Sequence, residues 1–291
     1  MGINGIININ PIILIGGLPM GLNRADILKG IDQLGIESKI VCIHSSLKSF
    51  GFVEGGAQTI VNAFLDEGYT ILAPTFSMDY LIHPPKDDRP LRNGCNYENY
   101  SDNFSHSNNI FTTKSQIIDR ESMSAIPYEI LKMPNRDRGY NPLNSFTAIG
   151  PRSKELVSEQ SPIDVYAPLR KLYELDGYII LMGVDLTRMT AIHYAEELAG
   201  RNLFIRWAKG LDGKPIRVSV GSCSQGFNKF DPLLKNTEKR IWVGESLWRV
   251  FPMRQVIELC TKAIKENQMI THCGNHNCER CKDAVQGGPI L

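Results

Sequence analysis

The chain has 291 residues, a formal net charge of +1, and 42% hydrophobic against 22% charged residues. That is enough apolar material for one large or two small folded domains. It gives no electrostatic reason to expect nucleic acid or an anionic membrane as the main partner, and no apolar run is long enough to span a bilayer.

The opening residues 1–23 are partly apolar, lack a basic n-region and are broken by Asn, Pro and Gly. They read as an arm or leader rather than a signal peptide. Residues 24–291 read as a single α/β domain, because no shift in composition marks a boundary. From Arg24 to Gly35, Ile27, Leu28, Ile31 and Leu34 recur at helical spacing, and Gly35 supplies a C-cap. Lys39–Ile43 has the look of a short strand and leads into His44-Ser45-Ser46-Leu47. A glycine-rich turn over Gly51–Gly56 opens a helix from Ala57 to about Glu67, and Tyr69–Ala73 is the next strand. Strand, turn, helix and strand in that order predict a βαβ unit, hence a parallel or mixed sheet with helices on its faces.

Residues 78–115 are polar and punctuated by Pro84-Pro85 and Asn-rich runs, which reads as an excursion over the mouth of a site rather than core. His83 and His106 lie in it, and a solvated loop histidine is the plainer reading of each. Helical patterning returns over Ser124–Met133. Asn141–Phe146 leads into a strand ending near Gly150, and two helices follow over Lys154–Gln160 and Pro168–Leu175. Tyr178–Met182 is an apolar run of the kind buried strands use. Leu203–Ala208 and Ile216–Val220 flank Asp212-Gly213, a hairpin signal. The remainder through Lys265 reads as mostly helical.

The densest chemistry follows Tyr178–Met182, in Gly183–Glu197. Thr190 stands where a helix cap belongs, and His193, Glu196 and Glu197 sit at i, i+3 and i+4 on one helical face. Just past the carboxyl end of a strand, that face lies where open α/β sheets bind ligands. An imidazole oriented by a carboxylate suits general-base work near neutral pH. The plainer alternative is a structural helix histidine with solvated glutamates beside it. Asp185 is a third carboxylate within reach of this stretch.

Seven cysteines are an odd number, and Cys42, Cys95, Cys223 and Cys260 follow no pattern, which suits reduced thiols in the cytoplasm. The tail gathers Cys273, Cys278 and Cys281 with His272 and His276. Thiolates and imidazoles are zinc ligands, but structural zinc sites normally draw on two separated pairs. One compact C-x4-C-x2-C run therefore reads as tail packing or a redox-sensitive thiol cluster, and no metal is expected.

Four segments, in order, resemble the aminoglycoside 3-N-acetyltransferases, the antibiotic N-acetyltransferase family. They are His44–Ser77, Asn141–Pro151, Pro168–Glu197 and, more loosely, Val243–Pro252. The resemblance implies a three-layer α/β/α sandwich with a central mixed, mostly parallel sheet. It also implies acetyl-CoA as co-substrate, an amine of an aminoglycoside or amino sugar as acceptor, and a monomer or homodimer. It assigns catalysis to His193, Glu196 and His44, with Asp185 as a further carboxylate. Ser45, Ser46, Leu47, Val53, Thr75, Ser77, Asn144, Ser145 and Phe146 would contact the donor, and Asp79, Tyr80 and Glu197 the acceptor.

The chemistry agrees with those roles. The amine arrives as an ammonium and must lose a proton, which His193 can accept; backbone amides near Ser45 and Ser46 are candidates to stabilise the thioester oxyanion. Gly55-Gly56 at a helix start could receive phosphate, though a plain turn explains them equally well. Where the family carries a His-Pro-x-His-Ser-Phe segment, this chain has Asn141 and Asn144. Those changes leave open a biosynthetic amino-sugar acyltransferase, or a catalytically silent protein that binds CoA or an amino sugar.

Overall fold

The computed structural model describes residues 21–99 and 108–291; His106 lies outside them. Asn23 starts the first helix, α1 (Arg24–Leu34). Its side chain accepts from the Ala25 and Asp26 amides while Asp26 reaches back to the Asn23 amide, and the helix ends at Gly35 with φ 54°. There follow β1 (Ile40–Ser45), α2 (Gly56–Asp66), β2 (Thr70–Pro74), α3 (Ala125–Lys132), β3 (Asp137–Arg138), β4 (Phe146–Ile149), α4 (Ser153–Val157), α5 (Ala167–Glu174) and β5 (Tyr178–Met182). After these come α6 (Ala191–Leu198), β6 (Phe204–Lys209), β7 (Pro215–Val220), α7 (Asp231–Leu234), β8 (Lys239–Val243), β9 (Ser246–Pro252), α8 (Met253–Glu266) and α9 (Glu279–Val285).

Among the described residues the main sheet has the order β3-β4-β2-β1-β5-β9-β8, and β6-β7 form a separate hairpin. Alternation along the strands settles which side each helix covers. Ile40, Cys42, Leu72, Ile179, Leu181 and Phe251 point to one face, where they pack with α4, α5, α6 and α8. Val41, Ile43, Ile71, Ile180, Met182, Trp248 and Val250 point to the other, against α1, α2 and α3. The result is the three-layer α/β/α sandwich. The sheet is mixed, with its parallel part confined to β2, β1 and β5 at the centre. The flanking pairs β2–β4, β3–β4, β5–β9 and β8–β9 are antiparallel.

Two regions differ from the patterning. The stretch ahead of α8 is not helical, since β8 and β9 form a hairpin about Gly244, whose φ is 59°. Ile241, Val243, Trp248 and Val250 alternate inward there, and runs that short carry no periodicity decisive between strand and helix. The excursion after β2 is also partly core. Tyr80 and Phe111 are buried with the β6-β7 hairpin, and Ile82 packs on Trp207. The Ile82 amide donates to the Trp207 carbonyl, and Asp88 binds both the Trp207 indole and Arg217. No described helix is long and apolar enough to cross a membrane.

Candidate active site

The three parallel strands deliver their carboxyl ends to one place, and a cleft of about 1030 Å³ opens there. His44 to Lys48 enter it from the end of β1, Pro74 and Phe76 from β2, and Gly183, Val184, Thr187, Arg188, Thr190 and His193 from the chain after β5. Asn144, Tyr166, the loop Gly221-Ser222 after β7, and residues 120–125 ahead of α3 complete the wall. This is the position the strand order predicts for a ligand.

Gly183 allows the approach. Its φ is 64°, and a Cβ there would lie 2.0 Å from Oγ of Ser49, so only glycine lets the β5 exit run against the β1 loop. Across that contact the Ser46 amide donates to the Met182 carbonyl at 2.9 Å. That amide is therefore spent on the fold and is not available to an oxyanion. The amides of Leu47 and Lys48, which open the next 3-10 turn, have no backbone partner among the described residues.

At the base of the cleft, Nδ1 of His193 is 2.7 Å from Oε2 of Glu196, and both side chains are nearly buried. Thr190 occupies the N-cap position of α6 but makes no side-chain cap bond. The helix stops at Ala199-Gly200, where Gly200 (φ 96°) turns the chain and returns Arg201 beneath the same carboxylate. Arg201 donates from one nitrogen to Glu196 Oε1 and to Thr271 Oγ1, and from another to the Gln268 carbonyl. Ser222 donates to Glu196 Oε2 at 2.8 Å. Burial alone would raise the Glu196 pKa. The His193 hydrogen bond and charge, the Arg201 charge and the Ser222 hydroxyl outweigh it and hold the carboxyl below its usual range. Tyr166 stacks parallel to the imidazole and Phe227 meets it edge-on. None of Arg201, Ser222, Tyr166 or Phe227 is legible as a site residue in the sequence, since Arg201 returns only through the Gly200 turn and the others arrive from distant segments.

The remaining expected residues divide. His44 lines the cleft, buried, with Nε2 3.6 Å from the Cys42 sulfur. Burial and the nearby Arg188 charge push its pKa down to about 3, so it is neutral at ordinary pH. Ser45 pairs with Ser124 across the cleft at 2.7 Å. Ser46, Leu47 and Asn144 also line it, and the Asn144 Oδ1 is buried with no hydrogen-bond partner among the described residues. Asn141 spends its side chain on the backbone, donating to the Ser161 and Pro162 carbonyls and accepting from the Leu143 and Asn144 amides.

Others lie beneath or away from the wall. Thr75 and Ser145 form a buried hydroxyl ladder with Thr147, and Arg138 donates to Ser145. Phe146 and Val53 are core, and Ser77 turns to Asp79 at 2.9 Å. Asp79 is itself exposed, and Tyr80 is packed on Phe111. Glu197 faces Asp164 and Arg170, not His193. Asp185 caps the 3-10 turn Leu186–Arg188 and is bound by Thr187 and Asn228. Gly55 and Gly56 do not reach the cleft. Its charged wall is instead basic, with Lys48, Arg120, Arg188, Arg206 and Arg280 against Glu121.

The three-layer sandwich, with a cleft at the carboxyl ends of its parallel strands, is an α/β fold whose ligand site lies beyond the central strands. A family model described as aminoglycoside 3-N-acetyltransferase matches residues 42–265, and the chain belongs to that family. Among curated relatives, aminoglycoside N(3)-acetyltransferase IX of Micromonospora chalcea is 27% identical over 190 residues. That match spans 61% of this chain and 63% of the relative's length, so under two thirds of it. Of solved structures, the aminoglycoside acetyltransferase AAC(3)-IVa apoenzyme superposes with a TM-score of 0.73 at 22% identity, over 93% of this chain and all of that one. A mutant of the same enzyme in complex with a gentamicin gives 0.71 at 22% identity over 93% and 99%. AAC-IIIb in a binary complex with CoASH gives 0.64 at 17% identity over 84% and 96%.

Proposed function

We propose that the chain is a CoA-dependent N-acetyltransferase that moves an acetyl group from acetyl-CoA directly to an amine, with His193 as general base. The observation that carries this reading is the Glu196–His193 bond. A carboxylate held ionised at Nδ1 requires that nitrogen to carry the proton, which leaves Nε2 as the base. Nε2 takes the proton from the incoming ammonium. The freed amine attacks the thioester carbon, and the thiolate of CoA leaves, taking the first proton back from His193; the second proton of the former ammonium leaves the amide nitrogen for solvent. The Leu47 and Lys48 amides stand at the mouth of β1 as donors for the oxygen that becomes negative. No cysteine or serine needs to be acylated.

Two features of the wall suit the donor. Asn144 Oδ1 is a buried acceptor without a donor among the described residues, the complement of a pantetheine amide N–H. Exposed Lys48 and Arg188 at the entrance suit CoA phosphates better than the Gly55-Gly56 turn does. The names of the relatives, and the gentamicin complex of one of them, support an aminoglycoside as acceptor.

The preponderance of basic over acidic residues in the same wall favours a second reading of the acceptor. A polycationic drug gains little from Arg206 and Arg280, whereas an amino sugar carrying phosphate or carboxylate gains from both. Free-thiol release from acetyl-CoA, measured against aminoglycosides, neutral amino sugars and phosphorylated amino sugars, separates these readings. Turnover that requires one acceptor class and is lost in His193→Ala supports the transferase. Tight CoA binding without turnover on any amine sinks it in favour of a silent binder.

A further inference from the structure

Cys223 lies just beyond β7, fifty residues before the C-terminal cysteines, yet the structure brings it to them. Sγ atoms of Cys223, Cys273, Cys278 and Cys281 all lie within 4.8 Å of one another. Two separated segments therefore converge on one point, the feature that the compact C-x4-C-x2-C run lacks by itself. All four are free thiols. A tetrahedral zinc ion with bonds of about 2.3 Å has sulfur–sulfur edges of about 3.8 Å, so the sulfurs need only a small inward shift to enclose it. The donor set is sulfur alone, which selects zinc over calcium or magnesium. The Cys273 amide already donates to the Cys281 sulfur at 3.3 Å, the kind of supporting bond that holds a thiolate ligand. His272, although adjacent, accepts from the Gly274 amide through Nδ1 and is not one of the four.

We propose that Cys223, Cys273, Cys278 and Cys281 form a structural tetrathiolate zinc site that clamps the loop after β7 to the C-terminal segment. Four protein ligands close the coordination shell, so the metal takes no part in the reaction. Its position gives it a second consequence. Ser222, beside Cys223, donates to Glu196, and Thr271, two residues before Cys273, accepts from Arg201. The clamp joins the two loops that hold the Glu196 carboxylate, and Arg280, between Cys278 and Cys281, reaches the cleft wall from the same knot.

Metal analysis of the full chain, purified from zinc-supplemented cells without chelator, should give one zinc per chain. Exchange into cobalt should give the intense visible bands of a tetrahedral cobalt tetrathiolate, and Cys278→Ser should remove both the stoichiometric metal and those bands. Chelation should lower the melting temperature by several degrees. A chain without stoichiometric zinc overturns the proposal, as do two disulfides on mass mapping or alkylation of all four thiols with no change in melting. Should Cys278→Ser fail to fold, the cobalt spectrum of the unaltered chain decides.

Discussion

Glu196 presents one oxygen to His193 at 2.7 Å and the other to Arg201, so a single buried carboxylate orients the base and balances a buried cation. Glu196→Gln removes both duties at once, whereas Arg201→Met removes only the second. Glu196→Gln keeps the shape but loses the negative charge that fixes the imidazole tautomer. It is expected to lower kcat about ten- to a hundredfold, less than the hundred- to ten-thousandfold for loss of His193 itself. Arg201→Met leaves Glu196 buried without its counter-charge and costs about 3–5 kcal/mol of stability. It also weakens what holds the Glu196 carboxyl below its usual range. Steady-state kinetics and melting curves check both. An Arg201→Met enzyme with unchanged stability is inconsistent with this network.

Gly221 faces the ring from the opposite side. A Cβ there would lie 2.5 Å from the Tyr166 hydroxyl and 2.9 Å from Cδ2 of His193. Gly221→Ala is expected to push the imidazole off its Glu196 bond, lowering kcat at least tenfold while leaving the sheet and its melting temperature nearly intact. The informative comparison is kcat against melting temperature in the one variant. A loss of stability matching the loss of rate would mean the loop, not the ring, had moved.

The His193–Glu196 pair was legible because i, i+3 on a helix is a local relation that needs no tertiary knowledge. Arg201 was not, because it reaches Glu196 only after the reversal at Gly200, and Ser222 and Tyr166 come from other elements altogether. The family resemblance set Thr75 and Ser145 against the donor. The antiparallel register of β2 and β4, with Ala73 opposite Thr147, turns the two hydroxyls onto one another instead. A sheet with helices on its faces followed from the alternation of strands and helices, and the three-layer sandwich from the family resemblance, whereas β8 and β9 were hidden by their shortness and by the Gly244 turn. Cys223 looked unpatterned because sequence spacing carries no information on which loops meet.

His44 makes stability depend on pH. Its folded pKa is lowered from the ordinary 6.5 to about 3 by burial and by Arg188. Between those values the unfolded chain binds the proton and the folded chain does not, so stability rises with pH in that window and falls on acidification. The loss approaches about 1.4 kcal/mol per pH unit below the upper value. Denaturant unfolding at about pH 7 and about pH 5 should show this loss in the unaltered protein and a shallower one in His44→Gln. The comparison with His44→Gln isolates this histidine from the other groups that titrate in the same range. Parallel losses in the two proteins would exclude His44 as the source.

Outside the cleft wall, Arg249 on β9 donates to Glu238 and Asp231, and Arg240 also binds Glu238. The Glu238 side chain is 2% exposed. Burial alone would raise its pKa, but the hydrogen bonds and charges of Arg249 and Arg240 hold the carboxyl below its usual range. Such a lowered carboxylate contributes stability above its unfolded pKa, and that contribution is lost as pH falls through the folded value. Glu238→Gln therefore leaves Arg249 buried with only Asp231 for a counter-charge, at a cost of about 3 kcal/mol at neutral pH. The penalty shrinks in acid, where the native carboxylate is itself protonated. Because the pair sits at the β8 end of the sheet, kcat and KM should not change. Unfolding of Glu238→Gln at neutral and acid pH, with kinetics alongside, checks the assignment; an equal penalty at both pH values would show that packing rather than charge holds this edge.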